Sequence, residues 1–384
     1  MNTNDIKSVL IFSEQYPTKS DPVYAFVGQL ANAFAQLGVN VTVIAPQSIT
    51  KHLFRKTPLH PLRFVVKVNE RNSIIVYQPL YMSLGNQFPR INNLLFNFAC
   101  RRAYWKIKEK PQVCYGHFWR SAFKAFGIIQ KDHLPLYVAS GESKIEKCNY
   151  GSRWVSFLNY YSGVIFVSSK NKKESETLGY WKNQRNIVLP NAIDPAKFFK
   201  KDRSSLRHEY GIDPNSFIVV FVGAFIDRKG PQRVAGALKK LDDKNIEAFF
   251  IGSEKDGVAC PFDYEGILYK GVVPHEKLVD YLNMADVFVL PTLAEGCCNA
   301  IVEAMACGLP IISSDREFND DILDDECSIR INPESVDEIA SAIKTLYDDR
   351  ELCDKMGVAA LEKASSLTIE NRAKAFLDFM CGIK

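Results

Sequence analysis

Two successive series of short, almost wholly apolar runs constrain this chain most. Each run is separated from the next by a longer stretch of helical periodicity, and that alternation is the pattern of parallel sheets joined by crossover helices. The first series occupies residues 8–12, 40–45, 73–77, 113–115, 136–139, 163–167 and 187–189. The second occupies 217–222, 248–251, 268–269, 287–290 and 311–313. Because the runs are apolar throughout rather than alternating, each sheet is expected to be covered on both faces. With 384 residues to place, one core is too small, and the two series predict two α/β domains. A helix is expected over 25–37, ended by Gly38, and another over 368–379 that packs back on the first domain. The polar stretch 190–205, with its two prolines, reads as the linker.

Several classes drop out on composition. No apolar run approaches the roughly 20 residues that span a bilayer. The first apolar run is also too short for a secretory signal, so a cytosolic protein is expected. The 10 cysteines are scattered, and the adjacent pair Cys297-Cys298 has no second pair at metal-ligand spacing; reduced thiols without zinc are the expectation. Charge is distributed unevenly. Residues 1–200 hold 27 Lys and Arg against 11 Asp and Glu, whereas 201–384 hold 21 against 33. A basic half suits an anionic membrane surface or an anionic acceptor, or it attracts the acidic half.

The segment most charged with chemistry is Glu295-Gly-Cys-Cys-Asn-Ala-Ile-Val-Glu303, continued by Ala304-Met-Ala-Cys-Gly-Leu-Pro310. It follows the run 287–290 through a turn, and a helix should begin near Asn299. Such a helix start offers free backbone N–H groups and a favourable dipole to a diphosphate. Gly296 allows close backbone approach, Glu295 can accept from sugar hydroxyls, and Glu303 can accept from a ribose diol. Both acids could equally be solvated surface groups. Against that, Glu303 lies within an apolar helical run, where a carboxylate needs a partner.

This segment resembles the Glu-x7-Glu signature of the retaining GT-B glycosyltransferases of glycosyltransferase family 4. Three further segments resemble that family: Phe221-Val-Gly-Ala-Phe-Ile-Asp-Arg-Lys-Gly230 its phosphate-contact turn, Lys270-Gly-Val-Val-Pro-His-Glu-Lys277 its base-binding loop, and Val188-Leu-Pro-Asn-Ala-Ile-Asp194 its interdomain stretch. The resemblance implies an α/β GT-B fold, two Rossmann-like domains facing across a cleft. It implies an acceptor-binding domain at 1–200, a nucleotide-sugar-binding domain at 201–366 and a returning helix at 367–384. Carried over by position, Glu295 meets the transferred sugar and Glu303 the ribose. Gly223, Arg228, Lys229, Gly296, Cys297, Cys298 and Asn299 complete the donor site. No metal or other cofactor is implied, so a lysine such as Lys229 must stabilise the departing nucleoside diphosphate.

The chain departs from the family pattern in places. Ala224 stands where the family usually has Arg, and Arg228 is the available substitute. Ala192 replaces a common Gly. The first loop, Tyr16 to Phe26, lacks the usual glycines, and Ser140-Gly141-Glu142 stands in place of a His-Gly. Glu142 and His117 are therefore the two candidates in the first domain for orienting the sugar or accepting the acceptor's proton. His117 could equally be a histidine bonded within its strand–helix turn.

For the acceptor the resemblance points to the first domain. There Arg90 to Lys108 mixes apolar and basic residues, and Lys51-His-Leu-Phe-Arg-Lys56 adds charge. A basic amphipathic helix can lie on anionic lipid, or pack into a core with a basic outer face. The reading is a retaining hexosyltransferase using a UDP- or GDP-linked sugar and a glycan or lipid-linked acceptor, in cell-surface polysaccharide synthesis. Its rivals are a GT-B epimerase or phosphorylase and a non-catalytic sugar-nucleotide binder. Nothing has the signature of nucleic-acid binding.

Overall fold

A computed structural model describes residues 6–18, 24–55, 58–84, 87–147, 151–181, 184–254 and 260–382. The chain divides into two compact units. The first comprises residues 1–167, 171–189 and 369–384, and the second 168–170 and 190–368.

The first unit is built on an eight-stranded sheet. In spatial order its strands are Arg185–Val188, Gly163–Phe166, Leu136–Ser140, Val113–His117, Ser8–Phe12, Asn40–Ile44, Ser73–Tyr77 and Arg63–Lys67. All pairs are parallel except the last, Arg63–Lys67 against Ser73–Tyr77. That edge strand was not expected. Its side chains alternate between exposed and half-buried, which is the pattern of an antiparallel edge rather than of a doubly covered strand.

The apolar run at 113–115 continues as strand to His117, so His117 ends the strand rather than following it. Two cores flank the sheet. One contains Phe34 and Val43 together with Phe376, Leu377 and Met380 from the helix Ile369–Cys381. That helix belongs to the first unit, and the hydroxyl of Tyr137 donates to the Met380 carbonyl at 2.8 Å.

The second unit has a six-stranded, wholly parallel sheet in the order Ile267–Gly271, Ile246–Ile251, Phe217–Val222, Val287–Leu290, Ile311–Ser314, Ser328–Ile331. The last strand, only four residues with Arg330 inside it, was not visible in the apolar pattern. The stretch 190–205, read as a linker, is docked on this unit. Lys201 N donates to Asn283 Oδ1 at 2.6 Å, and Asp202 caps the helix Arg203–Glu209 by accepting from Ser205 N at 2.8 Å.

In each sheet the strand order reverses beside the first strand of its unit. In the second unit the reversal lies between Phe217–Val222 and Val287–Leu290, in the first between Ser8–Phe12 and Val113–His117. Doubly wound sheets hold ligands at the carboxyl ends of the strands flanking such a reversal.

Candidate active site

In the second unit both flanking strands run into the loops that the sequence singles out. Residues 223–230 leave Phe217–Val222, and residues 291–298 leave Val287–Leu290. The first turn depends on a glycine in the neighbouring strand's exit. Gly252 has φ +155°, and a Cβ there would lie 1.9 Å from the Gly223 carbonyl oxygen. Gly223 itself is roomier, since a Cβ would meet nothing nearer than 3.5 Å. Its amide completes the sheet by donating to Ile251 O at 2.9 Å. The two loops are stitched together by Leu293 N donating to Arg228 O at 2.8 Å.

That stitching brings Glu295, Arg228 and Lys229 to one point. Glu295 Oε1 accepts from Lys229 Nζ at 2.6 Å, from Arg228 Nη1 at 2.8 Å and from the Thr292 hydroxyl at 2.9 Å. Arg228 also donates to the Ala294 carbonyl. Burial would raise the Glu295 carboxyl, but the Lys229 and Arg228 charges outweigh it and hold the group below the ordinary carboxylate range. Burial likewise opposes the charge on Lys229, and Cys298 with Glu295 more than restores it. Since burial pushes the Cys298 thiol up, it is the Glu295 carboxylate that carries the pair. Two cations face one carboxylate, which leaves a surplus positive charge suited to an anion.

Beside this cluster the helix Asn299–Ala306 begins where the sequence placed it. Its N-cap residue, Cys298, makes no side-chain capping bond. Gly296, Cys297 and Cys298 are buried, whereas Asn299 is exposed. The loop is held by a residue that sequence reasoning passed over. Asn191 Nδ2 donates to Cys297 O at 3.0 Å and to Asn299 Oδ1 at 2.7 Å, and its backbone N–H donates to Cys297 Sγ at 3.3 Å. Nothing in the stretch 188–194 announces a contact more than a hundred residues away.

One turn into the same helix, Glu303 has its side chain 14% exposed, with His275 Nε2 3.9 Å away. Burial raises its carboxyl to about 7. His275 is itself lowered by burial and by Lys197, so it is a weak counter-charge. Glu303 is thus a carboxylate held at a marginal balance, as suits a group awaiting a hydrogen-bonding ligand.

The two candidates in the first unit are occupied locally. His117 is buried at the end of its strand. Its Nδ1 lies 2.5 Å from the Tyr115 hydroxyl, and its ring stacks on Phe26 with centroids 4.7 Å apart. Burial, with Arg372 adding to it, lowers its pKa to about 3, so His117 is neutral near pH 7 and poorly matched to accepting a proton. Glu142 acts as an imported cap. Its Oε1 accepts from Trp119 N, the first residue of the helix Trp119–Ile129, at 2.9 Å. Its Oε2 accepts from Ser140 Oγ and Gly141 N, both at 2.9 Å. Those bonds support a strained turn, because Phe118 adopts φ 75° and ψ 155°.

The first unit also has a cavity of about 400 Å³ over the carboxyl ends of Ser8–Phe12, Asn40–Ile44 and Ser73–Tyr77. Glu14, Lys51, Arg120 and Lys124 line it. Lys124 pairs with Glu14 at 3.0 Å. Burial opposes ionisation of Glu14, and Lys124 outweighs it, leaving that carboxyl below its ordinary value. Three cations against one carboxylate again favour an anionic occupant. Of the first loop, residues 19–23 lie outside the described residues. Among the described residues no group of three or more His, Cys, Asp and Glu could hold a metal.

Residues 202–363 match the protein family described as glycosyl transferases group 1, so the second unit contains a domain of that family. TuaC of Bacillus subtilis (strain 168), named as a teichuronic acid biosynthesis glycosyltransferase, is 24% identical over 367 residues, 90% of each chain. The D-inositol 3-phosphate glycosyltransferase of Paenarthrobacter aurescens (strain TC1) is 28% identical over 204 residues, and the chain covers half of that relative's length. Among solved structures, sucrose-phosphate synthase from Thermosynechococcus elongatus superposes with a TM-score of 0.77 at 17% identity, covering 98% of each chain. Anabaena HepE, solved in complex with UDP and glucose, gives 0.72 at 15% identity, covering 98% of this chain and 100% of its own. The fold is therefore the two-domain α/β architecture of GT-B proteins, with parallel Rossmann-like sheets.

Proposed function

We propose that this protein transfers a hexosyl unit from a nucleoside-diphosphate sugar to a hydroxyl of a glycan or lipid-linked acceptor, with retention of configuration. The observation that carries this is the cluster of the largely buried pair Lys229 and Glu295 with the part-exposed Arg228 at the sheet reversal, beside the start of the helix Asn299–Ala306. A diphosphate there meets the surplus charge and the helix-terminal N–H groups together. Glu303, a turn further on, takes the ribose diol. In the reaction the bond between the anomeric carbon and the diphosphate oxygen breaks, and the acceptor oxygen bonds to the same face of that carbon. The acceptor's proton passes to the leaving phosphate, whose charge Lys229 and Arg228 stabilise. No metal is assigned a part.

The teichuronic acid name of the Bacillus relative supports cell-surface polysaccharide synthesis, at the inner face of a membrane. No described helix is long and apolar enough to cross one, and the docking of such a protein would be peripheral. The cationic cavity of the first unit suits an acceptor carrying phosphate or carboxylate.

A second reading has one observation in its favour: both first-unit candidates, His117 and Glu142, are engaged in holding their own turn. A sugar-nucleotide binder without transfer would show that. The test is release of nucleoside diphosphate from UDP- and GDP-sugars in the presence of bacterial lipid extract, with the product's anomeric configuration read by NMR. The wild type should release nucleotide and give an α-linked product from an α-linked donor, and Lys229→Met should lower turnover at least about 100-fold. Binding without turnover would support the second reading. An inverted product, or an epimerised donor formed without acceptor, would overturn the proposal.

A further inference from the structure

Among the described residues, the first unit carries an exposed apolar surface. The helix Pro89–Trp105 has two apolar faces. One buries Phe96, Cys100, Ala103 and Tyr104. Opposite to it stand Ile91, Leu94, Phe98 and Trp105, the last three 70%, 63% and 67% exposed. At 3.6 residues per turn these four fall within roughly 60° of one another, a continuous stripe along the helix. The short helix Ile49–Arg55 adds Leu53 and Phe54, the latter 82% exposed. Both helices are fastened to the same strip of chain: Thr50 Oγ1 donates to Ser83 O, and Leu84 N donates to Asn92 Oδ1, each at 2.7 Å. The exposed side chains of Met82 and Leu84 lie on that strip, so the apolar surface runs from one helix to the other. Single exposed apolar residues are ordinary, but a connected set of large ones marks an interaction surface.

The charge around it identifies the occupant. Residues 49–108 contain 11 Lys and Arg and a single acid, Glu70. Arg90, Arg102 and Lys106 are exposed in and just beyond the long helix. A second copy of the chain would set one such positive surface against another. An anionic bilayer answers both features, with aromatic and aliphatic side chains in the acyl boundary and cations among the lipid phosphates.

We propose that this two-helix face docks the first unit on anionic lipid. Phe54, Leu94, Phe98 and Trp105 enter the interface, and Arg90, Arg102 and Lys106 engage phosphate groups. The proposal deepens the reading of a membrane-borne acceptor and rests on it for its purpose. The cavity of the first unit shares Lys51 with the short helix and Phe96 with the long one. Phe96 lies on the face of the long helix turned away from the stripe, so docking would set that cavity one helix width, ~10 Å, from the lipid surface, within reach of an acceptor that enters head first while its tail stays in the bilayer.

The test is co-sedimentation of the full chain with vesicles of phosphatidylglycerol in phosphatidylcholine, and with phosphatidylcholine alone. The wild type should bind the anionic vesicles, less so as salt rises. Phe98→Asp with Trp105→Asp should weaken that binding at least about tenfold with an unchanged Tm. Arg90→Glu with Arg102→Glu should weaken it selectively at low salt. Wild-type levels of binding by the Asp variant would overturn the face while leaving membrane association intact. Absence of wild-type binding would overturn the proposal, as would a concentration-dependent dimer dispersed by the Asp variant. Stabilisation by nucleotide, measured on the same samples, reports separately on the transferase reading.

Discussion

At the scale of single residues, the proposed donor site depends on carboxylates kept under opposite constraints. Glu295 is held ionised by two cations, whereas Glu303 is pushed by burial from 4.5 to about 7. The sign of the second shift matters. Between those two values the folded protein keeps a proton that the unfolded chain has released, so stability falls as pH rises through that window. Above about pH 7 the full penalty applies, at most about 3 kcal/mol for a shift of this size. Glu303→Gln should therefore stabilise the unliganded protein by about 1–3 kcal/mol near pH 8 and change little near pH 5. The same variant should lose at least about tenfold in nucleotide affinity. Denaturant melts at the two pH values, with a nucleotide titration, check both; a destabilised variant of unchanged affinity would contradict the assignment.

At the scale of elements, the helix Asn299–Ala306 was legible because three signals agreed: an apolar strand, a turn, and a periodic run with polar Asn299 at its head. What fixes the loop before it was not legible. Asn191 reaches Cys297 and Asn299 from a segment distant in sequence, and a lone asparagine beside a proline signals only a turn. Asn191→Ala should cost about 1–2 kcal/mol of stability and raise the KM for donor several-fold, since it frees the loop that carries Glu295. Initial-rate kinetics across donor concentrations would show it, and an unchanged KM would mean that the loop holds itself. His117 and Glu142 show the converse limit. Their position at strand ends could be read in advance, but the Tyr115 hydroxyl, the Phe26 ring and the Trp119 amide that occupy them could not.

At the scale of the whole molecule, two parallel sheets were readable from the continuous apolar runs, because burial on both faces writes itself into every residue of a strand. The edge strand Arg63–Lys67, part-exposed along its length and charged at both ends, and the short strand Ser328–Ile331, interrupted by Arg330, leave no such run. The last helix was legible from its periodicity, which does not say where a helix packs; it falls in the first unit. Its anchor is Phe376, fully buried among residues of that unit's core. Phe376→Ala should destabilise the first unit by about 3–5 kcal/mol. Should the units melt separately, only the first unit's transition should move; a shift confined to the other would refute the assignment of the helix.

Binding of a nucleoside diphosphate by the second unit at Lys229, Arg228 and Glu303, as proposed, is read by thermal shift. Wild type and Glu303→Ala would be melted with UDP, GDP, ADP and their sugar conjugates, without added metal. Nucleotide at about 100 times its Kd should add about 2.7 kcal/mol of stability. A clear rise in Tm with one base, greatly reduced in Glu303→Ala, is the expected result of that binding. No rise with any nucleotide, or an equal rise in the variant, would contradict it.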